Sequence, residues 1–205
     1  MSKLFQMFEE QPNYNKLVFF DTETVSLRPP YIISIAYIAY ENNKLSKAEY
    51  LVCNPAYPID PGASQVNGFY NDDLLDNKLW PEVWDSIKRH FENAICISHN
   101  TNFDETALFQ SNSRYNIPMP KKYWTCCTMK NARLLLPKPT VINHKLGTLC
   151  EYFSINLDNW HNASADTLAC LKVYNKLIEL SDGNLKIEKG KYCSEENTDK
   201  DNFDF

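Results

Sequence analysis

No stretch of this 205-residue chain holds the roughly 18 consecutive apolar residues that a membrane-spanning helix needs, so no membrane partner is expected. The opening residues, MSKLFQMFEEQPNYNK, lack the apolar centre of a secretion signal and carry acids too early, which points to a cytoplasmic protein. Cys-x-x-Cys spacing is absent as well. The seven cysteines are scattered, with only Cys126 and Cys127 adjacent, and that argues for reduced thiols against a disulfide framework or a structural zinc site. An excess of basic charge is also missing. The formal net charge is −5, and the last 25 residues hold four Lys against seven Asp or Glu. A broad basic surface of the kind that grips nucleic acid is therefore excluded, and a polyanionic ligand would have to be drawn in by bound cations or a local patch. The composition is otherwise globular, 43% hydrophobic and 23% charged, and the length suffices for one domain with a real core.

Leu17–Phe20 reads as a buried strand, "YIISIAYIAYENN" (31–43) as a longer one with a turn at Asn42-Asn43, and "LSKAEYLVCNP" (45–55) as its hairpin partner. Residues 55–62, "PAYPIDPG", read as a proline-punctuated loop. Helices are expected over 79–94, with Pro81 near the first turn, and over 101–115, capped by Thr101 or Asn102; "AICISHN" (94–100) lies between them as a short strand. A strand and then a helix stopped by Pro137 are expected over 124–137, a helix over 145–153, and a long amphipathic one over 161–180. Strands first and then alternation of strand and helix indicate an α/β domain with a mixed sheet. The boundaries read as an N-terminal extension over 1–15, a domain over 16–180 and an acidic, partly disordered tail over 181–205.

Two carboxylates, Asp21 and Glu23, follow the first strand at a spacing that puts both side chains on one face. Such a pair repels at depth unless a hard divalent cation relieves it; the alternative is a solvated turn. Asp104 falls in the first turn of a helix at the edge of its apolar side, where it could equally be an acid facing the helix dipole. Asp166 shares a helical stripe with Cys170, Val173, Tyr174 and Leu177, so one carboxylate aims at the core with no Lys or Arg on that face. His161 lies five residues earlier, at the helix start; His99 follows an apolar strand and reads as structural.

Taken together, Asp21-x-Glu23, Asp104 within "HNTNFDE", and "HNASAD" with His161, Ala163 and Asp166 resemble the three motifs of the DEDDh branch of the DEDD (DnaQ-like) 3′–5′ exonuclease superfamily. The stretches "WTCCTMKNARLLLP" and "NHKLGTLCEYF" look like the segments between its second and third motifs, so the likeness runs over about residues 16–180. It is strongest to the proofreading epsilon-subunit type. Asn162 stands where the sister branch has Tyr, which assigns this chain to the His type. There are departures. Val25-Ser26 replaces the frequent Thr-Gly after the first motif, and "QVNGFYND" replaces a His-Gly-Ile segment, leaving Phe69 either to stack on a base or to plug the core.

The resemblance implies a ribonuclease H-like fold, a mixed five-stranded sheet flanked by helices. It implies two Mg²⁺ ions, replaceable by Mn²⁺, with Asp21 bridging both, Glu23 and Asp166 completing one site and Asp104 supporting the other. His161 would be the general base. Thr22, Thr24, Asn67, Phe69 and Asn100 are the candidates for substrate contact. The implied activity is removal of nucleoside monophosphates from the 3′ ends of single-stranded DNA, with a DNA polymerase subunit as the candidate protein partner. Two alternatives stay open: trimming of RNA 3′ ends in the manner of ribonuclease T or oligoribonuclease, and a non-catalytic nucleic-acid-binding module.

Overall fold

The computed structural model describes residues 12–156 and 162–194. The first three strands form an antiparallel meander: β1 (Lys16–Thr24), β2 (Ile32–Glu41) and β3 (Lys44–Val52). Asn42 and Asn43, at φ 51° and 61°, make the tight β2–β3 turn, as a two-residue hairpin loop requires. The chain then crosses over twice through helices. Strand β4 (Ile95–Ser98) lies parallel to β1, and β5 (Trp124–Cys127) lies parallel to β4. The sheet order is β3-β2-β1-β4-β5-β6, so β1 is interior and flanked by an antiparallel and a parallel neighbour.

The expected five strands are all present, and a sixth is added. β6 (Glu188–Lys189) pairs antiparallel with β5. β6 lies within the stretch read as an acidic tail, and Leu185 and Ile187 just before it pack against the core. Buried Glu105 anchors this stretch. Its carboxylate accepts from the Tyr123 hydroxyl at 2.8 Å and from the Lys191 amide at 2.6 Å, while the Gly190 amide donates to the Tyr123 carbonyl at 2.9 Å. Tyr192 stacks on Phe109 with ring centroids 4.1 Å apart, and Cys193 is buried.

The helices are α1 (Pro61–Asn67), α2 (Trp80–Phe91), α3 (Thr101–Ser113), α4 (Thr128–Leu135), α5 (Leu146–Tyr152) and α6 (Ala163–Leu180). α1 begins at the last two residues of the expected proline loop (55–62) and runs beyond it, where no helix was expected. Asp60 caps it by accepting from the Gly62 amide, and Pro61 occupies a first-turn position where its missing N–H costs nothing. α3 begins after Asn100, which takes the cap position in the left-handed region (φ 71°, ψ 50°), in place of the expected Thr101 or Asn102. Asn tolerates that conformation better than most residues.

The alternation of β1 divides the core. Val18 and Phe20 pack with Trp84, Ile87 and Phe91 of α2 and Ala107 and Leu108 of α3. Phe19 packs on the other face with Ile97, Cys126 and Cys170, and its ring meets Tyr174 of α6 edge-on. Among the described residues no helix is long and apolar enough to cross a membrane.

Candidate active site

The alternation that seats Phe19 against α6 continues to the end of β1 and directs Asp21 and Glu23 to the same side. There they meet Asp166, in the first turn of α6. One carboxylate oxygen from each of Asp21, Glu23 and Asp166 lies within 4.8 Å of the other two. α6 is held in place by its own cap and by a bond to the sheet. The Asn162 carboxamide accepts from the amides of Ser164 and Ala165, and the Thr167 hydroxyl donates to the Ala36 carbonyl at 3.3 Å. Ala36 is the β2 residue registered opposite Asp21. Thr167 therefore fixes the turn carrying Asp166 against the strand position carrying Asp21.

Asp104 approaches from the opposite face. It is 2% exposed, and its Oδ1 accepts from the Thr22 amide at 3.2 Å and the Thr22 hydroxyl at 2.9 Å. Thr22, a candidate for substrate contact, joins α3 to the strand end and also borders the cleft beside Glu23. The electrostatics follow from this crowding. Burial, and then the charges of Asp104, Asp166 and Glu23, hold the Asp21 carboxyl well above the usual carboxylate range. Burial, and then Asp166 and Asp104, push Glu23 up to about 8. Burial raises Asp104 to about 7 despite the two bonds from Thr22. Carboxylate oxygens this close, with their charge so poorly compensated by the protein, are the donor set that a hard divalent cation prefers. Asp21 and Glu23 thus share an acidic cluster with Asp166, while Asp104, in the first turn of α3, acts on it through its charge.

The chain leaves β1 through an irregularity in register between Glu23 and Thr24. The departure at Val25-Ser26 has a local answer. The Thr24 hydroxyl donates to the Ser26 carbonyl, and the Ser26 hydroxyl donates to the Pro29 carbonyl at 2.8 Å and accepts from the Arg28 amide at 3.2 Å. A serine side chain thus closes the turn. Asn67, at the end of α1, donates to the Thr24 carbonyl at 3.2 Å. Gly68 follows at φ 76°, ending α1 in the left-handed region.

A cleft of about 500 Å³ opens beside Glu23, walled by Thr22, Thr24, Asn67, Val66, Arg28 and Phe103. Thr22, Thr24 and Asn67, all candidates for substrate contact, thus border open space. Phe69 packs against the cluster of Val25, Ile33, Ile59 and Leu74, its core-plug alternative. Asn100 caps α3 and is exposed. Phe103, one residue before Asp104, was not anticipated; its place in the first turn of α3 was the available signal. His99 is structural, as expected. Its ring bonds the Thr128 hydroxyl and the His144 carbonyl, each at 2.9 Å, and burial lowers its pKa to about 4. His161 lies outside the described residues.

Residues 18–174 match the family model described as "Exonuclease". The chain belongs to the exonuclease family. It is similar to the DNA polymerase III subunit epsilon of Buchnera aphidicola, 27% identical over 179 residues, a match spanning 79% of this chain and 72% of that one. It is similar also to the DNA polymerase III PolC-type of Bacillus subtilis, 29% identical over 167 residues and 79% of this chain, but spanning only 11% of that much longer relative. Exonuclease X, solved with 5′ overhanging duplex DNA, superposes at a TM-score of 0.61 with 23% identity, over 82% of this chain and 95% of that one. The nuclease domain of 3'hExo, a DEDDh family member bound to rAMP, superposes at 0.66 with 14% identity, over 87% and 98%. These neighbours share the ribonuclease H-like fold, and the family is one of divalent-metal-dependent nucleases.

Proposed function

We propose that this protein is a 3′–5′ exonuclease that removes nucleoside 5′-monophosphates from single-stranded DNA ends, using Mg²⁺ or Mn²⁺. The observation that carries the reading is the Asp21–Glu23–Asp166 cluster, with oxygens within 4.8 Å of one another at the end of an interior strand. Asp21, Glu23 and Asp166 are the proposed ligands, with Asp104 contributing from the far side. When bound, a pair of divalent ions supplies charge neutralisation at the scissile phosphate and at the attacking and leaving oxygens. The protein's own residues do the rest. Thr22 holds Asp104, Thr167 holds the turn bearing Asp166, and Asn67 with Thr24 forms the floor on which the terminal nucleotide rests.

His161 is the proposed general base. It takes a proton from water as that water attacks phosphorus, the bond from phosphorus to the upstream 3′ oxygen breaks, and the leaving oxygen is protonated. Phe103, on the cleft wall, offers a ring against which a terminal base can lie. The Buchnera relative is a subunit of DNA polymerase III, which supports a polymerase subunit as partner. RNA ends form a second reading, favoured by the rAMP bound to 3'hExo. A non-catalytic module is disfavoured, because all five motif positions carry their expected residues.

The test uses 5′- and 3′-labelled single strands of DNA and RNA with Mg²⁺ or EDTA. A 5′-labelled strand should shorten stepwise, a 3′ label should leave at once as mononucleotide, and EDTA should stop both. Activity that persists in EDTA, or endonucleolytic products, would overturn the reading. Faster turnover of RNA would select the second substrate.

A further inference from the structure

A protein of net charge −5 must hold a polyanion whose scissile phosphate faces a cluster of acids. Bound cations account for that one phosphate. They do not account for the rest of the strand, whose other phosphates need positive charge of their own. Arg28 stands where such a charge is needed. It is the sole cation among the described residues that wall the cleft beside Glu23. It is exposed, and among the described residues no ion pair holds it. The other acid of that wall, Asp60, is committed to the Gly62 amide at 2.7 Å as the cap of α1.

The backbone around Arg28 is tied down by several hydrogen bonds. Its amide donates to Ser26 Oγ, Ser26 Oγ donates to the Pro29 carbonyl, and the Val25 amide donates to the Tyr31 carbonyl at 2.9 Å. The turn is also tied to β1 by the Thr24 hydroxyl. A long side chain on a pinned base loses less freedom when it binds, and a guanidinium matches two phosphate oxygens at once.

We propose that Arg28 grips a backbone phosphate of the substrate strand next to the one being cleaved. The inference rests on the exonuclease reading and deepens it: it names the lip of the cleft as a strand-holding subsite. Its consequence is a preference for polymer over monomer. A single phosphodiester such as thymidine 5′-monophosphate p-nitrophenyl ester offers the scissile phosphate alone, whereas an oligonucleotide offers its neighbours as well.

The test compares kcat/KM on these two substrates for wild type, Arg28→Ala and Arg28→Lys. Arg28→Ala should lower the oligonucleotide-to-ester ratio about tenfold, in line with loss of one charge-assisted contact. The dependence of oligonucleotide kcat/KM on salt should become shallower by about 0.7 in log–log slope, the value of one phosphate contact on a single strand. Arg28→Lys should restore the salt slope, which reads charge, and only part of the ratio, because an ammonium does not match two phosphate oxygens at once. An equal loss on both substrates, an unmoved ratio or an unmoved salt slope overturns the assignment. If wild type cleaves neither substrate, the exonuclease reading falls and takes Arg28 with it; if wild type cleaves both and the ratio holds, Arg28 falls alone.

Discussion

Burial and neighbouring acids hold both Asp21 and Glu23 above the usual carboxylate range; after burial, Asp104 weighs most on Asp21 and Asp166 on Glu23. In this arrangement a base that is not a ligand can be told from a ligand. His161→Ala should lower kcat by about 10²- to 10⁴-fold, the usual contribution of a general base. It should leave the stabilisation by Mn²⁺ intact, because the imidazole takes no part in the proposed cage. Asp166→Ala should lose both. Calorimetric Mn²⁺ titration beside steady-state kinetics checks the pair; a His161→Ala protein that no longer binds Mn²⁺ would make His161 a ligand.

At the scale of elements, legibility tracked simple local signals. β1 and β2 stood out as apolar runs, and both are buried on both faces; α2 was marked by Pro81 in its first turn, and α6 by an apolar stripe at helical spacing. α1 was hidden because Asp60-Pro61-Gly62 serves a turn and a helix start equally well; only the bond from Gly62 to Asp60 decides between them. β6 has two residues, both charged, and is held by groups far away in the chain, Glu105 and Tyr123. The site divided in the same way. Asp166 stood out as an acid on an apolar stripe, whereas Asp21, Glu23 and Asp104 were ambiguous until the resemblance to the exonuclease motifs joined them. Thr167 and Phe103 look ordinary in sequence and acquire meaning only through folding: Thr167 reaches a carbonyl 131 residues away. The strap carrying β6 offers a direct test. A Cβ added at Gly190 would run into the Tyr123 ring. Gly190→Ala should therefore destabilise the fold by about 1–3 kcal/mol, the usual cost of overpacking. Urea unfolding should report the change as a lower midpoint with an unchanged slope.

For the molecule as a whole, the acid cluster couples stability to pH and to metal. Asp104, at about 7, and Glu23, at about 8, bind protons more tightly folded than unfolded, where such groups titrate near pH 4. Their contribution is therefore complete below about pH 4 and is lost as pH rises through 7 and 8. Metal-free protein in EDTA should melt at progressively lower temperature between about pH 5 and pH 8. Mn²⁺ should raise the melting temperature more at pH 8 than at pH 5, because protons and metal compete for the same oxygens. Scanning fluorimetry across that range, with and without Mn²⁺, checks this. A metal-induced shift that is the same at both ends would place the ion elsewhere.

The meeting of Asp21 and Glu23 with Asp166 brings together chain positions that are nearly the whole domain apart. An ion gripped by all three would work as a late latch. The unfolded chain holds the first two acids near each other but must close a very long loop to supply the third, so the latch has nothing to grip until α6 has docked on β1 and β2. Saturating Mn²⁺ should accordingly slow unfolding in proportion to the stability it confers and leave the refolding rate nearly unchanged. Longevity of the folded state, more than speed in reaching it, would then be what the metal confers on this protein beyond chemistry.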